Sequence, residues 1–315
     1  MNRNSQSAPM GRAADMCSIA LSGIPAFPGK IRIANALARI AAIEGRGWGT
    51  CSLGGGATIR LNLTDRIERQ MWGGCYEPHV QRALRTLLSA GDVFLDIGAH
   101  IGYHAVLGAL LVGPRGAVIA FEPDPANFSR LRENLQPFPW STPLNKAVWS
   151  GSGAAGFQRS SQPGESGWGT LTSVRDLAEG DHLMLEAISL DDWLSENRRN
   201  VSVMKVDAEG SEAGILRGGR EFLKRTRPAV IIEANDVVLR QAQTSARELR
   251  ETMEAEGFEI FSLGDARLEV LESGKSRLLG ELLALPKERA HEHLARFERC
   301  GYRVPGRRPS SGAIQ

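Results

Sequence analysis

The 315-residue chain has few cysteines, few aromatic side chains and almost no net charge. Its four cysteines, Cys17, Cys51, Cys75 and Cys300, stand far apart and include no C-x-x-C pair. This pattern excludes the spacing of a zinc site or a disulfide framework, and it suits a reducing cytosol. The formal net charge of +2 gives no field strong enough to indicate a nucleic acid or an anionic membrane as a partner.

Long apolar runs are also absent, since none reaches the roughly 18–20 residues that a membrane-spanning helix needs. The first residues, MNRNSQS, lack the basic and apolar regions of a signal peptide, so the expected location is the cytoplasm. Apolar residues at helical spacing over 31–43 predict a helix packed on the domain edge. A membrane-surface helix is the alternative, although the segment is short and weakly charged for that role. The sequence therefore predicts no membrane partner and no nucleic-acid partner.

One stretch, residues 93–124, has the pattern of a βαβ unit. Apolar Val93–Leu95 ends in Asp96, and a glycine turn and an alanine-rich helical segment follow. After a break at Gly113–Gly116, a second apolar run ends in Glu122. Strand, turn, helix, turn and strand follow in that order, with an acid at the carboxyl end of each strand.

The turn between these strands is suited to a ribose-bearing ligand. Gly98 and Gly102 let the backbone approach a ligand that a Cβ would block. The helix that follows presents free backbone N–H groups to the same ligand. Glu122 stands where a carboxylate can accept both hydroxyls of a ribose. We therefore expect a nucleotide-like ligand at the carboxyl edge of the sheet.

Two cofactor classes use such a unit, and three residues distinguish them. A nicotinamide or flavin fingerprint needs G-x-G-x-x-G, whereas this chain has His100 and Tyr103 at the other two glycine positions, where they would crowd a pyrophosphate. Asp96 is unsuited to a phosphate dianion but suited to a cationic amino-acid head group. S-adenosylmethionine has that head group, a ribose and no phosphate, so the pattern favours it. An NAD(P)-dependent oxidoreductase is the alternative.

Strands alternate with helices along most of the chain. This order predicts an α/β domain with a Rossmann-like, doubly wound sheet, preceded by a small β cap. The expected boundaries are a loose leader and edge helix over 1–45, the cap over 46–78, the main domain over 79–300 and a disordered tail over 301–315. Within the main domain, residues 144–149 are expected to form the third core strand, residues 151–169 an irregular loop, and 258–263 with 268–271 a terminal β-pair.

Seven sequence blocks share the order and spacing of one known family. They are YEP (76–78), FLDIGAHIGYH (94–104), VIAFEPDP (118–125), LNKAV (144–148), SLDDW (189–193), MKVDAEGSEAGILRG (204–218) and RPAVIIEAN (227–235). Over about residues 70–265 the chain thus resembles the FkbM family of class I S-adenosylmethionine-dependent methyltransferases. The resemblance implies a seven-stranded sheet with a reversed last strand, and O-methylation of a sugar, polyketide or other small-molecule hydroxyl.

The resemblance also assigns positions to the cofactor. The glycine turn and the strand before it are expected to hold or flank the methionine part, at Asp96, Gly98, His100 and Gly102. Glu122 is expected to bind the ribose. Asn145 and Ala147 are expected to lie along the adenine.

The chemistry needs a base or a metal, because an alcohol is a poor nucleophile towards a sulfonium methyl group. The acids that follow the fourth and fifth strands, Asp207, Glu209 and Glu233, are the candidate catalytic residues. Asp207 with Glu233 or Asn235 also resembles, in position, the oxygen ligands of metal-dependent catechol-type methyltransferases, which leaves a Mg²⁺-like ion as an alternative. A purely structural pairing of Asp207 and Glu209 with Lys205 is the competing interpretation.

The sequence thus predicts an S-adenosylmethionine-dependent O-methyltransferase that acts on a hydroxyl of a small-molecule or glycan acceptor. Besides the oxidoreductase, a non-catalytic protein that retains the cofactor fold is an alternative. Acceptor specificity is expected in the least patterned parts of the chain, 46–78 and 151–187.

Overall fold

The computed structural model describes residues 11–24, 27, 29–44, 47–159, 169–173, 183–271 and 280–305. The described residues divide after Pro78 into two compact units. Among the described helices, none is both long and apolar enough to cross a bilayer.

The described part of the first unit holds three helices and a β-hairpin. The elements are α1 (Gly11–Gly23), α2 (Lys30–Glu44), β1 (Trp48–Gly54), β2 (Ala57–Asn62) and α3 (Arg66–Trp72). Helix α1 forms where the sequence predicts a loose leader, whereas the predicted small β cap is present as the antiparallel β1–β2 pair. Asp65 begins α3 by accepting hydrogen bonds from the backbone N–H groups of Ile67 and Glu68, at 2.8 and 3.0 Å.

The second unit contains a central sheet and a smaller one. Its strands are β3 (Val93–Ile97), β4 (Ala117–Phe121), β5 (Ser141–Leu144), β6 (Ala147–Val148), β7 (Gly153–Arg159), β8 (Gly169–Ser173), β9 (Leu183–Ile188), β10 (Val203–Val206), β11 (Ala229–Glu233), β12 (Phe258–Leu263), β13 (Leu268–Val270) and β14 (Glu281–Pro286). Its helices are α4 (Pro78–Leu87), α5 (Tyr103–Val112), α6 (Pro125–Leu135), α7 (Leu190–Asn197), α8 (Glu212–Arg217), α9 (Arg220–Thr226), α10 (Asp236–Gln241), α11 (Ala246–Ala255) and α12 (Ala290–Arg299).

The central sheet has the strand order β5-β4-β3-β10-β11-β14-β12-β13. Strands β5, β4, β3, β10 and β11 are parallel to one another, and β14 runs antiparallel to both of its neighbours. The first seven strands of this order, with β14 as the reversed last strand of the chain, form the predicted class I methyltransferase sheet. Strand β13 adds an eighth strand at the edge. The predicted fold class is confirmed.

The predicted third core strand, 144–149, is wrong as a single element. Strand β5 ends at Leu144 in the central sheet, and β6 begins at Ala147 in a separate sheet of order β6-β9-β7-β8. The side-chain amide of Asn145 explains the break, because it donates to the backbone oxygens of Glu122 and Pro123, both at 2.9 Å. These two hydrogen bonds tie the chain to the loop after β4 and turn it out of the central sheet.

Other differences concern elements that the sequence patterns did not predict. Strand β7 lies within the stretch 151–169 that was expected to be an irregular loop, and β8 begins at its last residue, Gly169. Residues 160–168 of that stretch lie outside the described residues. Strand β14 and helix α12 were not predicted. At the start of the expected disordered tail, Tyr302 is buried against Phe297 of α12, and residues 306–315 lie outside the described residues.

Helix α5 lies very close to β3, which fixes the turn between them. A Cβ added to Gly108 of α5 would stand 2.3 Å from Cδ1 of Phe94, a side chain that is fully buried in β3. No real Cβ tolerates such a contact, so the helix keeps this distance only with glycine at position 108.

We predict that Gly108→Ala destabilises the protein by about 1–3 kcal/mol, because the added methyl group overpacks against Phe94. An exposed helical glycine would instead gain roughly 0.5–1 kcal/mol from the same change. Chemical denaturation measures the difference. Gly151→Ala is the control, since a Cβ there meets no atom within 4 Å, and a change within about 0.5 kcal/mol is expected. Wild-type stability in Gly108→Ala would contradict the packing argument.

Candidate active site

Asp96, the fourth residue of β3, is buried without a hydrogen-bond partner. Its side chain is 1% exposed, and neither carboxylate oxygen has a partner among the described residues. Burial raises the pKa of Asp96 to about 6, against the opposing effect of Lys205 and with a smaller contribution from Asp207. Because an uncompensated buried carboxylate is costly, this position is suited to a cationic ligand group.

The turn after β3 has a left-handed backbone at three of its positions. Gly98 has a φ of +77°, His100 of +52° and Gly102 of +93°. A Cβ on Gly98 would stand 1.7 Å from the backbone oxygen of Asp207, so the chain segments that follow β3 and β10 touch there. Only glycine permits both the conformation and the contact.

Glu122 joins the ends of β3 and β4. Its carboxylate is buried and accepts hydrogen bonds from the backbone N–H groups of His100, at 2.8 Å, and Asp124, at 2.9 Å. The first of these holds His100 in its left-handed conformation. Burial raises the pKa of Glu122 to about 8, although the two N–H donors oppose the shift. The side chain of Asn127 also hydrogen-bonds this carboxylate, and the lone pairs that remain can accept a ligand hydroxyl.

The two residues expected along the adenine have different surroundings. Asn145 holds the loop after β4 through its two side-chain hydrogen bonds to backbone oxygens. Ala147 is fully buried and belongs to the small core of the second sheet, together with Phe157 and Ala187. Its methyl group serves that core, so a contact of Ala147 with a ligand would come from its backbone.

The three predicted catalytic acids lie together at the carboxyl edge of the central sheet. One carboxylate oxygen each of Asp207, Glu209 and Glu233 falls within 4.8 Å of the others. Asp207 follows β10 and Glu233 ends β11, and these strands are parallel neighbours. Glu209 has a left-handed backbone, with a φ of +48°, in the loop between β10 and α8. We call these three residues the acid cluster.

Lys205 is a buried cation next to this cluster. Its side chain is almost fully buried, and its Nζ lies 2.8 Å from Oδ2 of Asp207. In the β10–β3 pairing, Lys205 stands opposite Asp96. The competing interpretation of the sequence is therefore correct in that Asp207 pairs with Lys205, but the pair does not remove Asp207 from the acid cluster.

The cluster carries more negative charge than Lys205 balances. The pKa of Glu233 is raised to about 10, chiefly by burial and then by repulsion from Asp207, Glu209, Glu212 and Glu281. A proton or a cation is needed to relieve this repulsion.

Glu212, the first residue of α8, supports the loop that carries the cluster. Its Oε1 accepts hydrogen bonds from the backbone N–H groups of Ala208, at 2.9 Å, and Gly210, at 3.2 Å. Its Oε2 is buried and has no partner among the described residues. Burial raises the pKa of Glu212 to about 7, and Asp207 adds to the shift.

Sequence reasoning missed a second acid beside Glu233. Glu281 begins β14 and stands opposite Glu233 in the antiparallel β11–β14 pair. Its carboxylate contacts Nε2 of His79 from α4. The signal that could have found it is the apolar run ELLALP, which starts with this acid and has the length of a strand.

Comparisons with known proteins identify the family of the chain. Residues 96–260, more than half of the chain, match the family model of the methyltransferase FkbM domain. The 2-O-methyltransferase NoeI of Sinorhizobium fredii is 29% identical over 208 residues, which are 61% of this chain and 84% of NoeI. The hexuronic acid methyltransferase AglP of Haloferax volcanii is 30% identical over 144 residues, which are 45% of this chain and 56% of AglP.

Among solved structures, the methyltransferase FkbM of Methylobacillus flagellatus is 16% identical, with a TM-score of 0.41, over 69% of this chain and 54% of that one. This structural similarity is too low to support an argument about the fold, which the strand order already defines. The sheet with its reversed β14, the glycine turn between acid-ended strands and the match to the family model lead to one assignment. The chain belongs to the FkbM family of S-adenosylmethionine-dependent methyltransferases.

Proposed function

We propose that the protein transfers a methyl group from S-adenosylmethionine to a hydroxyl oxygen of a sugar or glycan. The observation that carries this proposal is the acid cluster of Asp207, Glu209 and Glu233 at the same edge of the sheet as the unpartnered Asp96 carboxylate. The names of the two relatives, a 2-O-methyltransferase and a hexuronic acid methyltransferase, support a sugar as the acceptor.

The residues around the glycine turn fit the cofactor. The two unpartnered oxygens of Asp96 are suited to the α-ammonium group of its methionine part. Gly98 and Gly102 give that part access to the backbone, with His100 beside it. Glu122 accepts the ribose hydroxyls with the lone pairs that its backbone donors and Asn127 leave. Asn145 fixes the loop on which the adenine rests, and Ala147 lines it through its backbone.

S-adenosylmethionine supplies an electrophilic methyl group, and the chain must position and deprotonate the acceptor. The new O–C bond forms as the C–S bond breaks, and the hydroxyl proton has to leave the oxygen. In the ligand-free protein the pKa of Glu233 is raised to about 10, so the group holds its proton at neutral pH. The positive charge of the bound cofactor favours the ionised carboxylate, and in that form Glu233 can act as the general base. Asp207, held by Lys205, and Glu209 are then placed to orient the hydroxyl.

The same charges favour a neutral acceptor group. Mutual repulsion within the acid cluster already raises the pKa of Glu233, and a substrate carboxylate at this position would add a further negative charge. A hydroxyl brings no such charge and donates a hydrogen bond to a carboxylate. For this reason we favour a sugar hydroxyl over an acidic sugar group as the methylated position.

Binding of a divalent cation is a second role that the acid cluster can have. Three carboxylate oxygens within 4.8 Å of one another are the hard ligands that Mg²⁺ prefers, and the unpartnered Oε2 of Glu212 is a further negative group near them. A bound ion would supply Lewis acidity towards the acceptor oxygen. It would also balance the charge that Lys205 leaves uncompensated.

The function is tested by incubating the purified protein with S-adenosylmethionine labelled in its methyl group and with neutral and uronic oligosaccharides. We expect the label on a sugar hydroxyl, identified by mass spectrometry. Cofactor binding without transfer to any sugar would instead support the non-catalytic alternative. Binding of NAD(P)H in place of S-adenosylmethionine would support the oxidoreductase.

Asp96→Asn is expected to weaken S-adenosylmethionine binding by about 10- to 100-fold, because a charge-assisted hydrogen bond is replaced by a neutral one. Isothermal titration calorimetry measures the affinity. Asp92→Asn is a matched control at the opposite end of β3, where the carboxylate bonds to Ser202 and to the backbone of Ser89. Its affinity should equal that of the wild type, and equal affinity in Asp96→Asn would contradict the assignment.

Glu122 should make the stability of the ligand-free protein depend on pH. Because its folded-state pKa is raised from 4.5 to about 8, the folded protein retains a proton that the unfolded chain loses in this window. The free energy of unfolding therefore falls as pH rises through it, and it should fall less steeply in Glu122→Gln. Urea unfolding at several pH values measures the slopes. The exposed Glu259→Gln should follow the wild type, and parallel slopes for all three proteins would refute the prediction.

Glu233→Gln is expected to lower kcat by about 10²- to 10⁴-fold while S-adenosylmethionine affinity is unchanged, because the base is lost and the cofactor site is not. Glu259→Gln, an exposed change in the same sheet, is the control. Treatment with EDTA separates the two roles of the cluster. Loss of activity that Mg²⁺ restores indicates the ion, and activity that survives EDTA indicates the base alone. Wild-type kcat in Glu233→Gln would exclude both.

A further inference from the structure

Helix α2 packs on the first unit through alanine and not through its larger apolar side chains. Ala34, Ala38 and Ala41 are at most 4% exposed, and their spacing of four and three residues puts them on one face of the helix. A Cβ added to Gly73 would stand 2.4 Å from Cβ of Ala34. The helix is therefore held at a distance that only small side chains allow.

The opposite side of α2 exposes isoleucine. Ile33, Ile40 and Ile43 are 47%, 55% and 82% exposed. With exposed Ala36 and half-buried Leu37 they follow the i, i+3, i+4, i+7 spacing of one helical stripe. We call these five residues the isoleucine face. The helix packs on its unit as the sequence predicts, but its large apolar side chains point outward.

Further apolar side chains of the first unit are exposed, in α1 and just before α2. Met16 and Ile19 of α1 are 70% and 58% exposed, and Phe27, before α2, is 42% exposed. Phe27 and Ile31 share a surface cavity of about 640 Å³ with Arg32. Exposed apolar residues in such numbers indicate an interaction surface.

Cations border the isoleucine face. Arg32 and Arg39 are exposed on α2, one helical turn to either side of Ala36. Arg39 also acts electrostatically on Arg69 of α3, as does Arg66, so three arginines lie near one another. Residues 1–78 contain nine Lys and Arg against five Asp and Glu. Residues 1–78 are therefore basic, although the net charge of the whole chain is close to zero.

We propose that the isoleucine face docks on the surface of an anionic lipid bilayer, with α2 lying in the interface and Arg32 and Arg39 against the lipid phosphates. Large aliphatic side chains beside arginine are the composition of interfacial helices. A second copy of the chain is less suited, because a two-fold contact through this face would bring the same arginines together. The proposal does not depend on the reaction, and it reverses the expectation that the chain has no membrane partner.

Vesicle co-sedimentation of the full chain tests the proposal. We expect binding to vesicles of phosphatidylglycerol and phosphatidylcholine, weaker binding to phosphatidylcholine alone, and a decline with added salt. The double variant Ile40→Glu, Ile43→Glu should bind the anionic vesicles at least about tenfold more weakly, since two buried apolar contacts are lost. Arg32→Gln with Arg39→Gln should remove the preference for anionic lipid.

Met184→Glu is the matched control, because Met184 in β9 is as exposed as Ile40, at 55%, but lies in the second unit. It should bind vesicles like the wild type. Circular dichroism and S-adenosylmethionine affinity check that each variant is folded. The proposal is overturned if the wild type does not bind anionic vesicles, or if the isoleucine variant binds them equally well. A wild-type dimer that the same variant dissociates, measured by light scattering, would assign the face to a second copy.

Discussion

The site depends on one close contact, between the turn after β3 and the segment after β10. Gly98 lies so near the backbone oxygen of Asp207 that a Cβ would stand 1.7 Å from it. This contact requires glycine, sets the course of the turn into α5, and brings the end of β10 beside Asp96. Parallel pairing of β10 with β11 then places Glu233 next to Asp207. Parallel pairing puts the cofactor residues and the acid cluster at one edge of the sheet, and the glycine lets the two loops meet closely there.

The negative charge of buried carboxylates is the second constraint on this edge of the sheet, and it lowers the stability of the folded protein. Burial raises the pKa of Asp96, Glu122, Glu212 and Glu233, which means that each carboxylate is held where its ionised form is unfavourable. Lys205 is a buried cation that acts on Asp96 and pairs with Asp207. Proteins accept such unfavourable groups where a ligand or a reaction uses them. A sulfonium cofactor with an ammonium group, and an acceptor that gives up a proton, each relieve part of this repulsion.

Local patterns predicted the parts of the fold that depend on local interactions. The βαβ unit over 93–124 is visible because apolar runs, glycines and terminal acids follow one another in the chain, and the acid cluster was found because parallel strands end at one edge. The break at Asn145 was missed because its hydrogen bonds reach back to Glu122 and Pro123. Glu281 was missed because its position depends on pairing with β11, about fifty residues earlier in the chain. Nonlocal partners of this kind leave no periodicity in the sequence.

Helix α2 shows the same limit of sequence patterns within a single helix, because the pattern predicts the helix but not which side of it is buried. The spacing of apolar residues predicts that a helix has an apolar side. Helix α2 has two such sides, one of alanine and one of isoleucine. Burial of isoleucine removes more apolar surface from water, so area alone favours packing the isoleucine face inward. The structure has the reverse, because Gly73 and Ala34 allow a backbone approach that isoleucine would prevent. A domain that buries its small side chains and exposes its large ones leaves apolar area uncovered, and the bordering arginines make an anionic surface the complementary partner.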